Sequence, residues 1–349
     1  MSKLPQSGRG LPVQNPVLGA LYGFMASELL LALDRLKVFE QISRHKSVTA
    51  ATLATGLGLN REALERALQA AACWGLVKID RQLFSLDDTV SPLLDPSSND
   101  YCGAFFNHFR NNTIPVFSHL DEALRGGKAQ WSALTAGDRG DEHAFTHIFS
   151  SEEHARDFHA AMWRLSYGPS QELVSQGLVG DSRTLVDLGG GVGSFAIAAA
   201  KANPRLTVTV VDLPAVAPHC EQNIRKEELQ ERVSFRAGDF WQDALPFADT
   251  YSLGYILSDW NDEESTRLLR RVKSSLCEGG RVLVLERLLD EDRSGPFVGV
   301  MQDLAMMLET GGQHRPASRY RALLEEAGFR DITVIRTSGD KHAVVGVAF

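Results

Sequence analysis

The stretch LVDLGGGVGSF, residues 185–195, joins an apolar run to a glycine-rich turn and a helix-forming segment. Glycines at alternate positions let a turn tighten and let a ligand approach the backbone, and the following helix N-terminus offers free N–H groups. Asp187 ends the apolar run, and Gly189 and Gly191 follow it. No Gly-Lys-Ser/Thr follows, so a triphosphate loop is not indicated. The stretch predicts a strand, a ligand-binding turn and a helix.

Short runs rich in β-branched residues recur around this stretch, and most are separated by helical segments. The runs are TLVDLGGG (184–191), TVTVVDLP (207–214), VSFRAGDF (233–240), TYSLGYILSD (250–259), RVLVLERLL (281–289) and ITVIRTS (332–338). This alternation predicts a mostly parallel sheet with helices on both faces. We therefore expect an α/β, Rossmann-like, doubly wound domain over residues 178–349.

The preceding part, residues 1–177, reads as mostly helical. Residues 18–43 carry leucines at three- and four-residue spacing, which predicts one amphipathic helix. Residues 47–88 resemble a winged helix, with a helix capped by Asn60 and two short strands. Acidic residues offset the basic ones there, which favours packing or dimerisation over DNA binding. A transcriptional regulator is the alternative that is not an enzyme.

Composition narrows the class of protein further. The 349 residues carry a formal net charge of −8, which argues against a nucleic-acid partner. The four cysteines form no C-x-x-C pair and indicate a reducing compartment. The N-terminus lacks the apolar centre of a signal peptide, and no later run is expected to reach transmembrane length. A cytoplasmic protein with no membrane partner is expected.

Acidic residues close the next two strands of the predicted sheet. Asp212 and Leu213 follow the second strand, where a carboxylate can accept hydrogen bonds from ribose hydroxyls. Asp239 and Phe240 follow the third, suited to accept from an adenine amino group and to cover its ring. Acids around the site favour a ligand with donors and positive charge, which points to S-adenosyl-L-methionine. A nicotinamide oxidoreductase is the rival enzyme class.

Taken in order, six motifs make the chain resemble the small-molecule O-methyltransferases of the acetylserotonin (hydroxyindole) and plant caffeate type. They are DLGGGVG (187–193), VVDLP (210–214), GDFW (238–241), SDWNDE (258–263), LERLLDEDRSGP (285–296) and GGQHRPASRYRALLEEAGF (311–329). The resemblance implies a homodimer, a small hydroxylated aromatic acceptor, and S-adenosyl-L-methionine contacts at Gly189, Asp212, Asp239 and Phe240.

The helical part before residue 178 is also expected to contribute to the site. Phe158, Met162 and Ser166 match the family pattern F-x-x-x-M-x-x-x-S, which implies contact with cofactor and substrate. This part is also rich in aromatics and histidines, a mixture suited to a wall that stacks a planar ligand. His108 and Trp163 are predicted there as further substrate-pocket residues.

The expected catalytic set departs from the family at two positions. The fourth strand usually ends in His-Asp-Trp, with histidine as the base, and this chain has Ser258, Asp259 and Trp260. A later G-G-x-E-R segment has His314 in place of glutamate. We therefore predict His314 as a relocated base, with Glu286 as a possible partner, because an unassisted serine is a poor base.

Several alternatives stay open. Ser258 and His314 can both be structural, and Asp259 can either anchor the pocket or cap the helix that begins near Asp262. Transfer to carbon, nitrogen or an ionised acid can rely on positioning alone. A diverged member can also have lost methyl transfer. Asp259 and His314 lack a third ligand, so no metal is predicted.

Overall fold

The computed structural model describes residues 15–131 and 152–349, which form two compact units that meet in sequence at Asn111 and Asn112. This division differs from the boundary predicted near residue 178. The helix Glu152–Ser175 accounts for the difference, because it packs against the helix Ser194–Ala202 within the C-terminal unit. The predicted lack of a signal peptide concerns residues mostly outside the described part.

The N-terminal unit combines helices with a small antiparallel sheet of strand order β1-β3-β2. Its elements are α1 (Pro16–Arg35), α2 (Val38–His45), β1 (Val48–Thr49), α3 (Ala50–Leu57), α4 (Arg61–Cys73), β2 (Val77–Asp80), β3 (Leu83–Leu86), α5 (Ser91–Leu94) and α6 (Gly103–His108). Asn60 caps α4 as predicted, since its side chain accepts from the N–H of Ala63. The single helix predicted over 18–43 is broken at Lys37, whose φ is 59°.

Helix α1 leaves most of its large apolar side chains exposed. They are Val17, Leu18, Leu21, Tyr22, Phe24 and Met25. With 20 residues and a mean hydropathy of 1.6, α1 is long and apolar enough to span a membrane by length and composition. The prediction that no later run reaches transmembrane length was therefore wrong. Glu28 and Asp34 are the only acidic residues in this helix, so its mean hydropathy stays high.

The C-terminal unit alternates strands and helices. Its elements are α7 (Ile114–Phe117), α8 (Leu120–Gly126), α9 (Glu152–Ser175), β4 (Thr184–Leu188), α10 (Ser194–Ala202), β5 (Thr207–Asp212), α11 (Ala217–Lys226), β6 (Val233–Ala237), β7 (Ala248–Gly254), α12 (Asp262–Ser274), β8 (Leu276–Glu286), β9 (Leu288–Leu289), α13 (Phe297–Glu309), β10 (Arg315–Pro316), α14 (Ala317–Glu326), β11 (Phe329–Ile335) and β12 (His342–Ala348).

Seven of these strands form one sheet in the order β11-β12-β8-β7-β4-β5-β6. The strands from β8 to β6 in this order pair in parallel, and β12 pairs antiparallel with both of its neighbours. The predicted mostly parallel sheet is confirmed. The carboxyl ends of β4, β5, β7 and β8 consequently meet at one edge.

Successive residues of the strands enter two different cores, one on each face of the sheet. In β8, Val284 packs with residues of α12 and α14, whereas Leu283 and Leu285 pack with residues of α9, α10 and α11. Helices therefore cover both faces, and the doubly wound arrangement is confirmed.

Candidate active site

The glycine turn after β4 is held against the end of β5. Asp212 accepts from the N–H of Gly191 at 2.7 Å through one carboxylate oxygen and from the N–H of Leu213 at 2.7 Å through the other. Gly191 has a φ of 53°, and an added Cβ there would meet nothing within 4 Å. The turn thus offers open space beside a carboxylate. Burial raises the pKa of Asp212 to about 6, although these two hydrogen bonds lower it.

Asp187 lies beneath the turn. Its carboxylate is buried and accepts from the Ser252 hydroxyl at 2.6 Å, and burial raises its pKa. A Cβ on Gly190 would lie 2.6 Å from Asp187 Oδ2, so this third glycine is needed for packing against the acid. Asp187 was predicted as a cofactor contact, and the structure shows it supporting the turn. Gly190 was missed, although its position between the two predicted glycines was a signal.

Phe240 borders the glycine turn from the end of β6. A Cβ on Gly189 would lie 3.7 Å from Phe240 Cε1 and would overlap Ile256. The Asp239 carboxylate accepts from the N–H of Trp241 and from Nε2 of Gln242, both at 2.8 Å. An aromatic ring and carboxylate oxygens at one open turn fit an adenosine with hydroxyl donors and a nearby positive charge, and they do not fit a pyrophosphate.

Ser258 lies next to Glu286 at the carboxyl ends of β7 and β8. Both are buried, and the Ser258 N–H donates to Glu286 Oε1 at 3.2 Å. Burial raises the pKa of Glu286 to about 7, while hydrogen bonds from the hydroxyl and N–H of Ser258, with Arg315 and Lys341, limit the rise. Glu286 is thus a carboxylate poised to exchange a proton near neutral pH.

Two more acids surround this pair. Burial, with the charges of Glu286 and Glu309, raises the pKa of Asp259 well above its usual range. Burial also raises the pKa of Glu309 to about 7, and Thr113 donates to its Oε1 at 3.1 Å. Neighbouring buried carboxyls disfavour one another's ionised forms, so these acids hold their protons more tightly than free carboxyls do. Glu309 was not identified from the sequence.

His314 lies in the loop that covers Ser258. The N–H of the preceding residue, Gln313, donates to the Ser258 carbonyl oxygen at 2.8 Å, and the His314 N–H donates to Asp303 at 2.6 Å. Burial and the charges of Arg287 and Arg315 lower the pKa of the His314 imidazole to about 3. Its Nδ1 has no hydrogen-bond partner in the described part of the chain. Glu286 accepts from Ser258, and the predicted partnership of His314 with Glu286 stays a prediction.

Arg315 holds the polar segment after β7 in place. This buried side chain donates to Asp262 at 2.6 Å and to three backbone carbonyls, those of Leu257, Trp260 and Gln313. Helix α12 is capped by Asn261, whose side chain accepts from the N–H of Glu264, so the alternative of Asp259 as the cap was wrong. Sequence reasoning missed Arg315 because three of its partners, Asp262, Leu257 and Trp260, lie more than fifty residues away.

The predicted pocket residues of α9 fall on different faces. Phe158, Met162 and Ser166 recur at four-residue spacing, which places them on one face. Phe158 packs against an apolar cluster of Val116, Ala123, Trp131 and Leu308. Trp163 instead stacks on Tyr167 at 4.5 Å and packs against the core of the sheet. His108 belongs to α6 of the N-terminal unit. No group of three or more potential metal ligands occurs in residues 15–131 and 152–349.

Comparison with known proteins extends over nearly the whole chain. A family model described as an O-methyltransferase domain matches residues 117–330. Acetylserotonin O-methyltransferase of Bos taurus is 32% identical over 331 residues, which cover 93% of this chain and 94% of that protein. The tetracenomycin polyketide synthesis 8-O-methyl transferase of Streptomyces glaucescens is 27% identical and covers 95% of each. The structure of human N-acetylserotonin methyltransferase in complex with SAM matches with a TM-score of 0.87 and 28% identity, over 95% of this chain and 96% of that one.

Proposed function

This chain belongs to the O-methyltransferase family, and we propose that it methylates a hydroxyl group of a small aromatic metabolite. S-adenosyl-L-methionine is its cofactor and supplies a methyl group on a positively charged sulfur. One observation carries the proposal: the glycine turn with Asp212 and the Ser258–Glu286 pair lie at the same edge of the sheet. Ligands of open α/β sheets bind at this edge, so both reactants can meet there.

Different residues of the chain are proposed to contact different parts of the cofactor. Gly191 leaves room for close approach, and Gly189 lets the turn pack against Ile256. Asp212 and Asp239 offer oxygens to hydroxyl and amino donors, and Phe240 offers a ring face. The backbone of Leu213, fixed by Asp212, shapes the same edge. Correct placement of the reacting groups supplies much of the acceleration in such a transfer.

We propose that Glu286 takes up the proton of the acceptor, with Ser258 as a relay. The Ser258 hydroxyl gives its proton to Glu286 and takes the proton of the acceptor hydroxyl, so one proton moves at each oxygen. A carboxylate with a pKa of about 7 is matched to this step near neutral pH. Asp259, whose pKa is raised by burial and by the charges of Glu286 and Glu309, is proposed as a polar anchor of the pocket.

His314 is the second candidate for the proton acceptor. The observation in its favour is that its Nδ1 has no partner in the described residues and that its loop lies against Ser258. Its pKa of about 3 makes it the weaker base.

The acceptor's wall is proposed along α9 and α13. Phe158 and Met307 pack with the apolar cluster that includes Trp131 and Leu308, and this surface suits a planar aromatic ring. Met162, Ser166 and Trp163 of the C-terminal unit remain proposed neighbours of the ligands. A hydroxylated aromatic acceptor also accords with the relatives, which are named for acetylserotonin and a polyketide.

We also propose a homodimer formed through the N-terminal unit, in the cytoplasm. The exposed apolar side chains of α1 supply a surface for a second copy, and the helices and three-stranded sheet beside it form a winged-helix-like dimerisation unit. The family resemblance implies the same assembly.

The test is product analysis with the full chain. Purified protein is incubated with methyl-labelled S-adenosyl-L-methionine and matched pairs of planar aromatics, one carrying a hydroxyl and the other an amine at the same position. We expect label in a methoxy group of the hydroxyl compounds, with equal release of S-adenosyl-L-homocysteine. Label on carbon or nitrogen instead, or release without transfer, would contradict O-methylation.

A further inference from the structure

Lys341 is a buried lysine that the predicted site does not use. It directly precedes β12, whose first residue, His342, pairs with Glu286 at the end of β8. Because β12 runs antiparallel to β8, the start of β12 lies at the edge where β4, β7 and β8 end. Lys341 is only 1% exposed. Its ammonium is therefore enclosed at the ligand-binding edge of the sheet.

The surroundings of this ammonium satisfy it only in part. Nζ donates to the Ser166 hydroxyl at 2.6 Å and lies 4.7 Å from the centre of the Tyr255 ring. A Cβ on Gly254 would lie 3.1 Å from Nζ, so the missing side chain there leaves room for the lysine. Within the described residues, no carboxylate lies within 4.0 Å of it. An ammonium has three donors, and one of them donates to an acceptor within residues 15–131 and 152–349.

A buried charge without a close counter-ion is costly, so such a group is usually neutralised or paired. Burial lowers the pKa of Lys341 to about 8, and the more distant charges of Asp187 and Glu286 oppose the shift. Lysine with this pKa is still mostly cationic at neutral pH. The site thus presents a positive charge and two unused N–H donors.

The other buried cations near this edge, Arg315 and Arg287, already have partners. Arg315 donates to one carboxylate and three carbonyls, and Arg287 pairs with Asp340 at 3.7 Å. The remaining polar groups at the cofactor turn, Asp212 and Asp239, are acids. An anionic part of a ligand therefore finds its matching charge at Lys341 alone among these groups.

We propose that Lys341 binds the α-carboxylate of the methionyl part of S-adenosyl-L-methionine, with Ser166 and Tyr255 orienting its ammonium. The inference rests on the proposed function, since it assumes the cofactor at the glycine turn. The cofactor's one anionic group is this carboxylate, and the acids of the turn cannot bind it. Ser166 lies on α9, which packs against α10, the helix that follows the glycine turn. This places the lysine on the cofactor side of the site.

Calorimetry of the full chain with two ligands tests the assignment. S-adenosyl-L-homocysteine carries the carboxylate, and 5′-methylthioadenosine has the same nucleoside and sulfur without the amino-acid part. Lys341→Met should weaken S-adenosyl-L-homocysteine binding by about 10- to 100-fold, as expected for a charged hydrogen bond. Binding of 5′-methylthioadenosine should stay within about twofold of wild type. Lys341→Arg should recover part of the loss.

A matched control is Lys201→Met, because Lys201 is an exposed lysine paired with Glu227 on the surface. It should leave both affinities unchanged.

If Lys341→Met weakens the binding of both ligands equally, or of neither, the assignment is overturned. Unchanged cofactor affinity with a raised KM for an acidic acceptor would assign the lysine to the acceptor instead and would also overturn it. If the wild-type protein binds neither ligand, the result contradicts the proposed cofactor site rather than the role of Lys341. If the Met variant does not fold, the Arg variant is tested instead. A wild-type melting temperature, with weakened binding of S-adenosyl-L-homocysteine but not of 5′-methylthioadenosine, then supports the assignment.

Discussion

Replacing Glu286 with glutamine separates its role in proton transfer from its role in folding. Glutamine has nearly the same shape, and its oxygen can still accept from the Ser258 N–H. It cannot take up a proton, so the relay through Ser258 ends without an acceptor. Loss of a general base costs about 10²- to 10⁴-fold in rate, and we expect kcat to fall within that range.

The pH dependence of the wild-type enzyme gives a second measure. With a pKa of about 7 for Glu286, about a tenth of the carboxylate is ionised at pH 6 and about nine tenths at pH 8. We expect kcat/KM to rise about tenfold per pH unit below 7 and to level off above it. In Glu286→Gln this rise of kcat/KM with pH should be absent.

The free energy of unfolding should fall with rising pH, whereas activity should rise. The carboxyl has an ordinary pKa of 4.5 and a folded pKa of about 7, so the folded state holds the proton more tightly between these values. Stability therefore falls as pH rises from about 4.5 to 7, by up to about 3 kcal/mol for this group. Glu286→Gln removes that loss and should raise the melting temperature relative to wild type at pH 8.

The assay is kcat and kcat/KM from about pH 5 to 9, which brackets the pKa of Glu286, with melting temperatures at each pH. Ser258→Ala should match Glu286→Gln in kcat, and His314→Ala should have the smaller effect. A loss of less than about threefold in Glu286→Gln would refute the relay. A larger loss in His314→Ala than in Ser258→Ala, with cofactor affinity intact, would place the base at His314.

Three further changes have defined outcomes. Asp212→Ala removes the acceptor of two turn N–H groups and of the ribose hydroxyls, so calorimetry should detect no S-adenosyl-L-methionine binding; retained affinity contradicts the site. Gly312→Ala would overlap the Ser258 carbonyl oxygen and should cost about 1–3 kcal/mol in urea unfolding together with lower kcat, whereas Gly56→Ala, with open space, should not destabilise. Phe24→Asp on exposed α1 should shift the dimer towards monomer in sedimentation, and an unchanged mass would argue against that interface.

The sequence by itself determined the architecture of the C-terminal unit and the class of cofactor. The reason is that both depend on local patterns: alternating apolar residues set each strand, and glycines set the turn between β4 and α10. Asp187, Asp212 and Phe240 are also placed by short-range order, because each lies at or within three residues of the carboxyl end of a strand. The extent of α1 and its break before α2 were less well predicted, since the left-handed conformation of Lys37 carries no glycine signal.

Only the tertiary structure decided how the acids, bases and cations are paired. Glu286 lies against Ser258, 28 residues away, and His314 lies among arginine charges. Lys341 reaches Ser166 across 175 residues because β12 is inserted next to β8 in the sheet. Such partners depend on strand order and on which groups become desolvated together, and neither is written in any single segment of the chain. The same dependence shifts the pKa of Glu286 towards neutrality, because burial of a carboxyl follows from the packing around it.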